Sequence, residues 1–439
     1  MPKGTVSRRE LLRMSGAAAF AATAATQRAS AQPVASDAPL GDWSAVRDLF
    51  PLARDRIHMS AMLLASHPSP VARAIERHRA GLDADPVGYL EANDESLTEA
   101  ARAAAGRYLG IHPSHVALTD STTMGVGLVY GGFPLKPGDE VLTTEEDYYV
   151  THESLRLAAT RAGATVRKLA LYDDAADAGA DEIVEKIAGA VTPATRLVAL
   201  TWVHSSTGMK LPVAEIAAAL REVNRDRDEA DRVLLGVDGV HAFGIEDFSF
   251  ERLGCDFLMA GCHKWLFGPR GTGIVAVSSS GLERLRPIIP SFTDGPSFDR
   301  WITGAREPAG SNNGRRLTPG GFKDFEHRWA LAEAFQLHER IGREKVAART
   351  HELAGMLKRE LAALRGISIA TPRAEELSAG IVAFDVEGHS DHGIVSRLRE
   401  RGIVGSVAPY ATSHVRLTPS IVNSETEIEE VAAALHEIA

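Results

Sequence analysis

One lysine, Lys264, stands between His263 and Trp265 in the stretch GCHKWLFGPRGTG. A solvated lysine needs neither aromatic neighbours nor a glycine turn behind it. Apolar walls depress an ammonium's pKa and free the amine as a nucleophile that forms imines with carbonyls. The Gly-Pro-Arg-Gly-Thr-Gly run lets main chain pass close by without a side-chain clash. Four other places offer complementary groups. Asp120-Ser121-Thr122-Thr123-Met124-Gly125 opens a helical pattern. Hydroxyls and free N–H groups at a helix N-terminus make an anion site, and they equally cap a helix with no ligand. Glu145-Glu146-Asp147-Tyr148-Tyr149 follows an apolar run, and an aromatic there stacks on a flat ring or fills a gap between helices. His204-Ser205-Ser206-Thr207-Gly208 puts small polar groups on a turn that positions a ligand or merely caps. Asp238 ends the apolar run VLLGV, where an unpartnered charge is expensive. A pyridinium N–H or an ordinary arginine would each satisfy it, and His241 shares its loop.

Singly these features say little. Together they supply a phosphate cradle, a ring to stack on, a partner for a pyridinium and an imine-forming lysine. That is the set of parts that holds pyridoxal 5′-phosphate (PLP), whose lysine and acidic ring-nitrogen partner are its marks.

These residues need a scaffold that brings distant loops to one place. Short apolar runs at His115–Leu118, Glu140–Thr143, Thr165–Leu169, Arg196–Val203, Val233–Val237, Phe257–Ala260 and Gly273–Val277 alternate with helical patterns such as Thr123–Tyr130, His152–Ala162 and Val213–Val223. The alternation predicts an α/β fold with a mainly parallel sheet covered by helices, its ligand at the carboxyl ends of the strands. Beyond about Gly321 the pattern changes. A helical stretch Phe325–Leu364 with a break near Gly342, strands around Gly380–Val386 and His414–Leu417, and a last helix Glu425–Ile438 predict a smaller α+β C-terminal domain. The expected division is residues 1–31 as a signal peptide, 32–60 as an N-terminal arm, 61–320 as the large domain and 321–439 as the small one.

The chain has 439 residues, 44% hydrophobic and 24% charged, with net charge −10. That is globular composition with no basic stripe for nucleic acid. Its two cysteines, Cys255 and Cys262, offer neither a disulfide framework nor a zinc site, and no metal is expected. At the start, Ser7-Arg8-Arg9-Glu10-Leu11-Leu12 precedes an Ala-rich run and Ala29-Ser30-Ala31. A charged segment, a short apolar run and an A-x-A site predict a signal peptide cleaved after Ala31. The paired arginines are similar to a twin-arginine signal, implying export of the folded protein to the periplasm or beyond. No membrane association is expected after cleavage.

The order and spacing of these motifs resemble the class V aminotransferase family of fold type I PLP enzymes, and within it the branch around isopenicillin N epimerase. The resemblance runs over roughly residues 41–439. It implies that Lys264 is the Schiff-base lysine and Asp238 the pyridinium partner. His241 falls beside the ring oxygen, Thr122 and Thr123 fall in the phosphate loop, and His263 is a phosphate contact. Tyr148, with Tyr149 as second choice, takes the ring-stacking position. Ser205 stands where many relatives have Asn near the ring oxygen, and Gly261 where cysteine desulfurases have a phosphate-binding serine. Arg416, in Val415-Arg416-Leu417-Thr418-Pro419-Ser420, resembles the arginine that grips the substrate carboxylate. Leu317-Thr318-Pro319-Gly320-Gly321 replaces a Gly-Thr pair that reaches the partner subunit's phosphate, a role that would fall to Thr318. A homodimer is implied.

The loop before Arg416, Gly405-Ser406-Val407-Ala408-Pro409-Tyr410, holds no cysteine, so the chain is expected not to be a cysteine desulfurase. The expected activity is chemistry at the α-carbon of an amino acid or small peptide, of the aminotransferase or epimerase type, with Lys264 as general base. A C–S or other β-elimination lyase is the alternative. Lys264, Asp238 and Arg416 together argue against a binding protein without turnover.

Overall fold

The structure, a computed structural model, describes residues 40, 42–305 and 310–439. The signal sequence expected at 1–31 lies outside the described residues.

The chain contributes strands β1 (Ile57–His58), β2 (Val116–Thr119), β3 (Glu140–Thr144), β4 (Thr165–Leu169), β5 (Thr195–Thr201), β6 (Leu234–Asp238), β7 (Phe257–Gly261), β8 (Gly273–Val277), β9 (Ile367–Ile369), β10 (Val382–Val386), β11 (Ile403–Val404), β12 (Ser406–Val407) and β13 (Val415–Leu417). Seven of them form one sheet in the order β2-β8-β7-β6-β5-β3-β4. The pairs β4–β3, β3–β5, β5–β6 and β6–β7 are parallel, and β8 runs antiparallel to both its neighbours. The mainly parallel α/β fold expected from the alternation is therefore present. β6, β7 and β8 are buried along their whole length because helices cover both faces, and so they read as unbroken apolar runs.

Local signals explain where the helices sit. Ser121 accepts from the Met124 N–H (3.1 Å) and starts the helix Thr122–Gly132 right after β2. The helix Tyr149–Ala162 follows β3 closely and ends at Gly163, whose φ of 70° costs glycine nothing. The helices Ser69–Ala84 and Pro86–Leu109, not anticipated from sequence, pack against Phe325–Ile341. Gly342, at φ 97°, breaks the long C-terminal helical stretch into Phe325–Ile341 and Arg343–Ala362.

A second, antiparallel sheet has the order β12-β13-β10-β9. Its buried face packs with Leu353, Leu357, Ile428 and Leu435 in one apolar cluster. The N-terminal β1 pairs with β11 (Ile57 opposite Ile403), and Met59 is buried in that same cluster. Among the described residues no helix is long and apolar enough to cross a membrane.

Candidate active site

Because the strands bearing the candidate residues are parallel, their carboxyl ends emerge at one edge. A cavity of about 230 Å³ opens there. It is lined by Thr122 and Thr123 after β2, Tyr148 after β3, Ser205 after β5, Asp238 and His241 at the end of β6, His263 and Lys264 after β7, and Arg416 from β13. These residues lie as far apart in sequence as Thr122 and Arg416, and the fold gathers them around one space.

The loop after β7 is tight. The Phe267 N–H donates to the Lys264 carbonyl (2.9 Å) and the Gly268 N–H to that of Cys262 (2.8 Å). Phe267 closes the turn at φ 56°, a left-handed conformation that costs a bulky residue energy. Burial of its ring (2% exposed) against Phe50 holds it there. Trp265 is fully buried beside Lys264. The Lys264 ammonium has no hydrogen-bond or ion-pair partner among the described residues. Desolvation lowers its pKa from 10.5 to about 8; Asp238 pulls upward and Arg416 downward.

Asp238 is 4% exposed, and its carboxylate accepts one hydrogen bond, from the Val240 N–H (3.0 Å). Desolvation raises its pKa from 3.8 to about 6, opposed by that bond and by Lys264, with Asp147 pushing the same way as burial. The site thus holds a carboxylate under-supplied with donors, a condition that a cationic ring N–H relieves. Trp265 Nε1–H donates to His241 Nδ1 (3.4 Å), which leaves His241 Nε2 as the protonated nitrogen. Desolvation, then the charges of Lys264 and Arg416, hold His241 well below its ordinary pKa and neutral.

The phosphate side is equally specific. Thr122 Oγ1 accepts from the Gly261 N–H (2.7 Å), so its own proton is free to donate into the cavity. A Cβ on Gly261 would lie 2.9 Å from Thr122 Oγ1 and 3.0 Å from the His263 ring. A side chain at this place would therefore crowd the threonine and histidine of this chain. His263 Nδ1 is buried without a hydrogen-bond partner. Free donors at a helix N-terminus, an orphaned imidazole nitrogen and a backbone cradle with no side chain in it fit a phosphate.

Arg416 is 2% exposed with no carboxylate within ion-pair distance among the described residues. Its guanidinium donates to the carbonyl oxygens of Ser205 (2.6 Å) and Val407 (2.9 Å), while Nε is buried without a partner. Desolvation lowers its pKa to about 10. A buried guanidinium balanced only by carbonyls is a ready receptor for a carboxylate.

Two sequence expectations change. Thr318 is not part of the cavity. It is 1% exposed, and its hydroxyl accepts from the Leu118 N–H (3.1 Å) and donates to the Gly314 carbonyl (2.6 Å) within its own chain. A hydroxyl so engaged has no capacity to reach another subunit. Tyr149 is 67% exposed and does not line the cavity, whereas Tyr148 does.

Two residues escaped sequence reading. Tyr410 joins its hydroxyl to Ser205 Oγ (2.7 Å) and sets its ring edge-on to Tyr148, centroids 6.0 Å apart. Asp147, buried beneath Tyr148, ties β3 to β5. The signal for Asp147 was an acid directly after an apolar strand, the same signal that pointed to Asp238.

Residues 67–407 match the protein family described as aminotransferase class-V. Isopenicillin N epimerase of Streptomyces clavuligerus is 29% identical over 90% of this chain and 98% of its own length. A cysteine desulfurase of Cronobacter sakazakii is 26% identical over 86% of this chain and 92% of its own. Among solved structures, a mutant of C-DES with glycine covalently linked to its PLP cofactor superposes with a TM-score of 0.79 at 24% identity, over 89% of this chain and 99% of that one. The same enzyme, described as a cystine C–S lyase, is known in complex with its product cysteine persulfide. These likenesses overturn the expectation that the chain is not a cysteine desulfurase. That exclusion rested on one loop without a cysteine, which does not outweigh a likeness running over 86% of the chain.

Proposed function

Because the chain belongs to the aminotransferase class V family and is a PLP-dependent enzyme, we propose that it acts at the α-carbon of an amino acid or small peptide, in the manner of an epimerase or aminotransferase. The observation that carries the proposal is the unpaired Lys264 amine, in one cavity with an under-supplied Asp238 and a carboxylate-free Arg416. The residues that would hold the cofactor are Thr122, Thr123 and His263 at its phosphate, Asp238 at its ring nitrogen, His241 and Ser205 at its ring oxygen, and Tyr148 against its face. Bound there, PLP supplies an electron sink for charge left on the substrate's α-carbon.

Arg416 orients the substrate by its carboxylate. Lys264 Nζ, with a pKa near 8, takes and returns a proton at the α-carbon close to neutrality. Which face or atom receives that proton separates epimerisation from amino transfer. The identity to isopenicillin N epimerase supports the first. The likeness to a cysteine desulfurase supports a second reading, cleavage of a C–S bond or other β-elimination. Borohydride reduction of the coloured holoprotein followed by peptide mapping tests the shared premise. The pyridoxyl group is expected on Lys264, and its recovery on another lysine would remove the reading.

We further propose that the enzyme works as a homodimer. Ile288 (49% exposed), Phe292 (54%), Trp301 (75%) and Phe322 (81%) are large apolar side chains facing out, as is Leu63 (50%) at the cavity's edge. Large apolar side chains left facing water support an interface where they adjoin one another. Sedimentation of the holoprotein is expected to give a dimer, and Trp301→Asp combined with Phe322→Asp to shift it toward monomer. A wild-type monomer with cofactor bound would sink the proposal.

A further inference from the structure

Asp147 is 2% exposed, and its carboxylate accepts four hydrogen bonds from three residues of the chain. Oδ2 takes the hydroxyl of Thr143 (2.7 Å) and both the N–H (2.9 Å) and the hydroxyl (3.0 Å) of Thr144, the last residues of β3. Oδ1 takes the N–H of Thr201 (2.6 Å), the last residue of β5 and itself part of the cavity wall. Every donor is neutral, and no cation lies within ion-pair distance of the carboxylate among the described residues. The four bonds fix this carboxyl group to the ends of two strands at once.

The next residue is Tyr148. Its hydroxyl makes no hydrogen bond among the described residues, and its ring contact is the edge-on one with Tyr410. The position of that ring is therefore set chiefly by the backbone on either side of it. On one side the helix Tyr149–Ala162 begins, with Thr151 and His152 N–H groups donating to the Tyr148 carbonyl (3.0 and 3.2 Å). On the other side Asp147 fastens the turn to two adjacent strands of the sheet.

We infer that Asp147 is a positioning residue: by fastening the turn to the ends of β3 and β5 it holds the Tyr148 ring in the cavity wall. The inference rests on the proposed placement of Tyr148 against the cofactor. Asparagine is a sharp probe of it. Each carboxylate oxygen accepts a backbone N–H, from Thr144 on one and Thr201 on the other, so an amide NH₂ faces an N–H whichever way it is turned.

The test is a double-mutant cycle on holoenzyme, read as the rate of PLP release into a trapping reagent and as the visible circular dichroism of the bound cofactor. Asp147→Asn is expected to speed release by about 5- to 100-fold in the presence of Tyr148, the range for leaving a buried polar group unpaired. In a Tyr148→Ala background the same change is expected to have less than about a two-fold effect, because nothing remains to position. Equal effects in both backgrounds, with the dichroism unchanged by Asp147→Asn, would show a merely structural role and overturn the inference. Tyr148→Ala releasing PLP at the wild-type rate would instead remove the placement of Tyr148 on which the inference stands. If Asp147→Asn does not fold, Thr144→Val, which removes one hydroxyl donor and leaves the backbone bond, carries the same cycle with a smaller expected effect.

Discussion

Lys264→Ala is expected to lower turnover by on the order of 10²- to 10⁴-fold, the contribution of a positioned acid–base group. It removes the one amine that lines the cavity among the described residues, and the remaining titratable neighbours do not replace it. His241 is held well below its ordinary pKa by burial, and His263 is likewise lowered. The loop that carries Lys264 is kept, since Trp265 and Phe267 beside it stay buried. The variant should therefore fold, and its melting temperature in the absence of cofactor should match or exceed the wild type's. A companion measurement reads the same amine by pH. With the pKa lowered to about 8, the free amine grows about ten-fold per pH unit below that value and levels above it. The rate at which apoprotein takes up PLP should follow that curve. A midpoint near the ordinary lysine value would show that the desolvated environment is not acting on this group.

Asp238→Asn is the second. A neutral amide in place of a carboxylate gives up a charge-assisted hydrogen bond to a cationic ring nitrogen, worth about 10- to 150-fold in rate. The apoprotein should move in the other direction. In the unfolded chain Asp238 loses its proton near 3.8, in the folded apoprotein near 6. Unfolding therefore releases a proton between those values, and the apoprotein loses stability as pH rises from about 4 to 6, the full cost remaining above 6. The amide of the variant carries no such cost, so the variant apoprotein should melt no lower than wild type at pH 7, its relative advantage shrinking below pH 6. A variant that loses both activity and apoprotein stability at pH 7 would mark Asp238 as a structural residue.

Much of this was legible in sequence because a parallel sheet turns order along the chain into position in space. In the seven-stranded sheet every strand but β8 ends at the same edge, so residues shortly after Leu118, Thr144, Thr201, Val237 and Gly261 line one cavity. That rule found Thr122, Asp238 and Lys264 without any knowledge of their contacts. It gave no help with Thr318, which follows a helix and not a strand; its hydroxyl is consumed by Leu118, 200 residues away, and by Gly314, 4 residues away. Asp147 was passed over because its four donors come from residues that read as ordinary strand threonines. The short strands β9, β11 and β12 carry too few residues for any periodicity to show. The loop before Arg416 is a weak guide in another way: it lacks one side chain, while relatives named for sulfur chemistry match the chain over most of its length.

Arg416 is seated on two carbonyl oxygens, those of Ser205 and Val407, and on no side chain. Every amino acid brings a carbonyl. As far as this seat is concerned, the side chains at both positions can change over generations while the guanidinium stays where it is. Descendants of such a chain could exchange the walls of the cavity, and with them the molecule accepted, without first rebuilding the grip on the carboxylate. One fold can in this way be ancestor to many chemistries that share a handle.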